Sequence, residues 1–397
     1  WRQAAQEATS LGSWRAGRAT RSRRVDGSAL DHPDAPHSLA LHGDTLFTAT
    51  ASFVYRWSLG SHHHSLARTF VSPIGRGQTF QRLLTAAPSG RASLGLGDTL
   101  SRTPYVVGAA DGPSRRGIHV FHGDSYRALE GAGEARPLAV APNGYAGVLV
   151  LSDTLRLWHL PSSSSPVATL ALAPEVEQAA AAEDVRPSAA LLTADGLAVV
   201  GTTAGSLHSF DLATGLRHPP LPFETGTPFS DPDQTFLTPV RQILGLDGQM
   251  AVVGGGQVAL YDVREAPKAL GLRLVDRFLA HTRAINTATV SGHTLAAASP
   301  DHVTLSDLRK DGEPLVRLDV QGARQVTLLT PSVCVTRTPT FLACYDGRTA
   351  CWEHPLQAQV PVALTTTHVA LGTAPFTLYT MRAGSASPSA SRACTIT

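Results

Sequence analysis

Three histidines in succession, His62-His63-His64, are a run of this chain with metal-ligating chemistry. They lie in a Ser/Gly loop after an apolar run that ends at Trp57. Successive side chains of an extended chain point to opposite faces, so three neighbours cannot converge on one ion, and a solvated loop is the reading. Four cysteines, Cys334, Cys344, Cys351 and Cys394, gather towards the C-terminal end. No Cys-x-x-Cys pair occurs, so their spacing gives no zinc site. Cys334 and Cys344 fall on neighbouring strand-like runs and Cys351 on the next, where buried thiols act as small hydrophobes. The chain has 16 histidines and many serines but no Gly-x-Ser-x-Gly elbow at a strand-to-helix turn. No catalytic, cofactor-binding or metal-binding residue is therefore assigned.

The run "VVGGGQVALYDVRE" (252–265) raises a second chemistry. Three glycines after a β-branched strand are one way to cradle phosphate. That use needs a helix behind the loop, so that the anion meets the helix N-terminus. Behind these glycines stands "QVALYDV", a strand pattern, so Gly254-Gly255-Gly256 is read as a tight hairpin turn.

The elements that must position these residues are short. Helical signal is confined to 1–13 and to 174–184, the latter with an acidic first turn and a poly-Ala body. Elsewhere, apolar runs of four to eight residues are cut by Gly, Pro, Asp and Ser, the pattern of many strands joined by tight turns. Aligned on those turns, one phrase recurs over 38–59, 104–123, 137–160, 188–212, 240–263, 284–308, 325–347 and 360–381. It is an apolar strand, a strand of small and β-branched residues, then a strand closing near an aromatic. The closing positions are Trp57, Phe121, Trp158, Phe210, Tyr261, Leu305, Tyr345 and Tyr379. Their mean spacing is near the roughly 40–45 residues of a four-stranded propeller blade.

These features resemble the WD40 repeat. The Trp-Asp pair survives as Phe210-Asp211, Tyr261-Asp262 and Tyr345-Asp346. "LAHTRAIN" (279–286) is similar to the family's Gly-His motif, with Ala280 in place of Gly. The resemblance implies an all-β propeller of four-stranded antiparallel blades, eight rather than seven, with a short helical segment ahead of it. It also implies that His281, Ser299 and Asp301 form a structural hydrogen-bond network within one blade; Ser306 stands where the family has Trp. The last repeat lacks a fourth strand after Met381, and "GRATRSRRVDG" (17–27) is the expected partner, closing the ring N-terminus to C-terminus. Ring closure protects strand edges.

Upstream, Trp1-Arg2 and Trp14-Arg15-Ala16-Gly17 resemble the junction of F-box/WD-repeat proteins. The chain opens on Trp1, as expected of a fragment, with 1–13 a helical remnant of an F-box-like segment, 14–382 the propeller and 383–397 a flexible tail. The resemblance implies a substrate receptor of an SCF-type cullin-RING ubiquitin ligase, docking its adaptor through the missing F-box and working in the cytoplasm or nucleus. The alternatives are a WD40 scaffold without ubiquitin linkage and, at a distance, an enzyme on a propeller.

One set of residues has binding content. Arg82, Arg136, Arg241, Arg283 and Arg324 fall at or near the start of an innermost strand, so five guanidiniums would rim the central channel on one face. Such a rim suits a phosphorylated or acidic peptide through charge-assisted bidentate bonds. The formal net charge of +2 gives no reason to expect a nucleic-acid partner, and no apolar run reaches the length of a membrane span. The insertions 70–103 and 219–239 exceed an ordinary blade connection, and loops of this kind often carry function.

Overall fold

The computed structural model describes residues 19–21 and most of 36–381. Outside the described residues lie 1–18, 22–35 and 382–397, the internal stretches 72–78, 86–105, 112–116, 130–135, 140–144, 160–164, 172–186, 226–235 and 265–270, and shorter turns. The helical expectations over 1–13 and 174–184, the tail at 383–397, Cys394, His62 and His63 fall there. Every regular element among the described residues is a strand.

Eight four-stranded antiparallel sheets follow one another along the chain, with one two-stranded ribbon between the fourth and fifth. They span 38–71, 79–128, 136–171, 187–222, 240–279, 287–318 and 325–355; the last is built from 362–381 together with Ala19–Arg21. In each of the first seven, strands pair in chain order. The first strand of a sheet meets the first strand of the next at most joints, which places these strands innermost. The eighth sheet packs on the seventh through Val369 and Leu371 against Val335 and Cys344, and on the first through Ala370 beside Leu46 and Trp57. The sheets come full circle, and the fold is an all-β propeller.

Strand period explains the core. In "QMAVVG" (Gln249–Gly254), Met250 and Val252 pack towards the fourth sheet while Ala251 and Val253 pack towards the sixth. A strand covered on both faces reads as a continuous apolar run rather than an alternating one. Trp57, Phe121, Trp158, Phe210, Tyr261 and Leu305 are all buried. They are the wedges between sheets.

The closure expected from the sequence is present. Ala19–Arg21 pairs antiparallel with the last strand, Ala19 opposite Met381, Thr20 opposite Thr380 and Arg21 opposite Tyr379. The outermost strand of the final sheet thus comes from the N-terminal side, and the ring is fastened by hydrogen bonds between residues about 360 positions apart along the chain.

Candidate functional site

Strand direction decides which loops share a face. Within a four-strand meander the link from a fourth strand to the next first strand emerges on the same side as the turn between second and third strands. The starts of the innermost strands therefore gather on one face with those turns. The two glycine questions are settled there. Gly254 pairs with Gln257, so residues 255–256 form a two-residue hairpin turn, and a strand, Gln257–Asp262, comes directly after it. Gly255 has φ of +54°, the conformation such turns demand. The exposed carbonyls of the turn then receive the next connection: Gly256 accepts from Ala280 and His281 N–H at 3.0 Å each, and Gly255 from Ile285 N–H at 2.6 Å.

That connection, 280–286, carries Arg283. Arg241, Arg283 and Arg324 are all exposed, at or just before the first strands of three consecutive sheets. Arg283 donates from Nε to Asp301 at 3.1 Å, with both side chains substantially solvated. Such a pair contributes little to stability and yields readily to a stronger anion. The side chains of Arg241 and Arg324 have no acidic partner among the described residues. Arg82 lies within the strand Thr79–Thr85, three residues past its start, and Arg136 opens Arg136–Ala139.

His281, Ser299 and Asp301 come together in one blade but not as one chain of hydrogen bonds. His281 is buried, and its Nε2 lies 3.0 Å from both the Ala297 carbonyl and Thr304 Oγ1. Ser299 instead closes its own turn, donating to the His302 carbonyl at 3.2 Å and accepting from the N–H of Asp301 and His302. Asp301 turns out to Arg283. The physical reason is the His302 ring, whose centroid sits 4.4 Å from that of His281. Burial, reinforced by His302, holds His281 down to about 4, so it is neutral near pH 7.

Three features escape the sequence reading. The acids that end the third strands are used locally: Arg264 forks onto Asp262 at 3.1 and 2.6 Å, and Arg309 onto Asp307 at 3.0 and 2.8 Å. Asp-x-Arg is legible in "DVR" and "DLR" once looked for. Second, polar side chains staple successive joints near the channel. Ser188 donates to the Val240 carbonyl, Gln242 accepts from Ala288 N–H at 2.6 Å, and Asn286 donates to the Ala323 carbonyl at 2.9 Å. Third, Arg337 ends a second strand beside Arg324; burial first and the Arg324 charge second hold its pKa down, and it donates to the Val360 carbonyl across the next joint. Aligning second-strand ends, where other repeats have Gly254, Thr202 or Ala298, would have exposed it.

Cys334 and Cys344 are buried with their thiols pushed up, Cys334 to about 12, by burial first and a neighbouring thiol second. Cys351 sits at a bulge in the adjoining strand. The two buried thiols are packing groups, not nucleophiles. His64 begins the strand His64–Val71. Among the described residues no group of three or more His, Cys, Asp or Glu is placed to hold a metal, and no helix is long and apolar enough to cross a membrane.

No protein-family model matches the chain, and no curated protein matches it in sequence. Solved structures do. The crystal structure of the C-terminal WD40 domain of Sif2 is 10% identical over 87% of this chain and 96% of that one, with a TM-score of 0.63. The computationally designed Ika8 protein is 14% identical over 88% of this chain and 96% of that one, at 0.62. Raptor of Chaetomium thermophilum is 12% identical and covers 88% of this chain but 28% of its own, at 0.46. At such identities the first two establish the propeller fold and nothing finer.

Proposed function

We propose that this protein is a non-catalytic interaction module whose blade-start face captures an acidic or phosphorylated peptide segment of another protein. The observation that carries this is the exposure of Arg241, Arg283 and Arg324 at the starts of three consecutive innermost strands. A guanidinium offers a planar fork that matches carboxylate or phosphate oxygens, and convergent forks add geometric selectivity. The propeller is a protein-interaction scaffold fold, and its rigid ring fixes the spacing of the forks. The test is a phosphopeptide library titrated against the wild-type chain and an Arg241→Ala, Arg283→Ala double variant. Binding by the wild type and its loss in the variant is expected; equal binding by both refutes the reading.

A finer role, substrate receptor of a cullin-RING ubiquitin ligase, is supported by Trp1-Arg2 and Trp14-Arg15-Ala16-Gly17, outside the described residues. The closing strand Ala19–Arg21 begins two positions after Gly17, so any upstream helical module would be tied closely to the ring. Such a receptor acts in the cytoplasm or nucleus. Sequence encoded ahead of Trp1 decides: an F-box-like helical pattern of about 40 residues, and co-purification of the full protein with a ligase adaptor, are expected. Their absence leaves a scaffold without ubiquitin linkage.

A further inference from the structure

The ribbon between the fourth and fifth sheets belongs to no blade. Glu224–Thr225 pairs with Phe236–Leu237, Glu224 opposite Leu237. It stands in a link between a fourth strand and the next first strand, hence on the face that carries Arg241. Its base is fastened firmly. Phe223 is fully buried, donates its N–H to the Gly205 carbonyl at 2.6 Å and accepts from Thr238 N–H at 3.2 Å. Its ring lies 2.5 Å from where a Cβ on Gly254 would be, so no other residue fits there. Val240, also fully buried, pairs with Gly254.

Between Leu237 and Arg241 the chain is therefore held on both sides. Thr238 precedes Pro239, which biases it to extended backbone, and Pro239 has a fixed φ. Leu237, at 55% exposure, is the most exposed large apolar side chain among the described residues. Arg241 is exposed as well. An apolar group and a cation are thus displayed on a stiff span of four residues, at most about 13 Å. Single exposed leucines are commonplace; one held at a fixed distance from an arginine with no acidic partner among the described residues is a two-point ruler.

We infer that the ribbon reads the sequence beside the acidic or phosphorylated residue, and that the preferred peptide carries a large apolar side chain about four residues away from it in an extended conformation. This rests on the arginine reading above and deepens it. The peptide's negative group meets Arg241, and its apolar side chain covers Leu237. Covering the exposed half of a leucine makes such a peptide about fivefold tighter than one with alanine there.

The test uses synthetic phosphoserine peptides with a single Leu two, four or six residues from the phosphoserine, on either side, and Ala elsewhere. They are titrated against the 397-residue chain by fluorescence polarisation. The expected result is an advantage of about fivefold for the four-residue spacing on one side, lost in Leu237→Ser, which still binds the all-Ala phosphopeptide as the wild type does. Affinity independent of Leu spacing, or an advantage that survives Leu237→Ser, overturns the ribbon inference and leaves the arginine reading standing. Failure of every phosphopeptide to bind the wild type overturns both. Leu237 is exposed, so the variant folds; an unchanged melting temperature checks this.

Discussion

Gly256→Ala separates the two demands made of the glycine triplet. Gly256 has no positive φ, but a Cβ there would stand 2.0 Å from the His281 carbonyl oxygen and 3.0 Å from that of Arg283. Backbone cannot rotate out of the way as a side-chain tip can, so the whole 280–286 connection has to lift by more than an ångström. Three backbone hydrogen bonds to the turn are strained at once, those of Ala280, His281 and Ile285. At about 1 kcal/mol each, the loss is about 3 kcal/mol. For a chain this long, that corresponds to a fall of about 4 °C in melting temperature. Gly255→Ala meets only Thr238 Cγ2 at 3.0 Å and has φ of +54°. It therefore costs about 1 kcal/mol, the strain of a left-handed non-glycine residue. Differential scanning calorimetry of the two variants compares them directly. Lifting the connection also moves Arg283, so Gly256→Ala weakens phosphopeptide binding where Gly255→Ala does not. If the two variants melt together, the close approach does not govern this turn and the account of the rim is wrong.

Stability falls in acid through His281 and His119, both held down to about 4 chiefly by burial. A depressed histidine contributes stability that is whole above its ordinary value of about 6.5 and is lost as pH falls towards 4. Urea midpoints between pH 7.5 and 4 should drop accordingly, and the drop should shrink in His281→Asn; a flat profile contradicts the assignment. Gln242→Ala removes the acceptor of Ala288 N–H and should cost about 1 kcal/mol by urea titration. Deleting residues up to Arg21 strips the partner from Thr377–Met381 and leaves an open sheet edge, so light scattering should report concentration-dependent association. A monodisperse truncated chain would show that the ring does not depend on this clasp.

The fold was legible because its signal is repeated and its physics local. Each "strand, turn, strand" phrase needs only turn residues and a two-faced apolar strand such as "QMAVVG", and every copy reinforces the alignment of the others. The clasp was legible for a different reason: a repeat one strand short, and a polar β-prone stretch at the other terminus with no other partner. What failed to be legible depends on distances between sheets. Nothing in the order of residues says that His302 rather than Ser299 lies against His281, because the choice is made by packing across a turn. The staples from Ser188, Gln242 and Asn286 are ordinary polar residues whose partners are backbone carbonyls or amides of the next sheet. No spacing rule marks them. Arg337 is not legible from the first strands alone, because the face is also built from second-strand ends.

Those staples bear on the proposed binding face. Gln242 stands immediately after Arg241, Asn286 three residues after Arg283, and Arg337 is both neighbour to Arg324 and staple to Val360, in the link that leads into the eighth sheet. The atoms that fix the angle between adjacent sheets are thus within a few residues of the guanidiniums that would hold the peptide. In a ring each sheet is clamped from both sides, so an angle cannot relax at one joint without a change at the others. The spacing between arginines is then a property of closure and not of any single loop. Loosening a distant joint should therefore degrade selectivity among phosphopeptides before it abolishes affinity. Each fork still finds a phosphate on its own, but the fixed geometry that distinguishes one arrangement of charges from another depends on the whole circle.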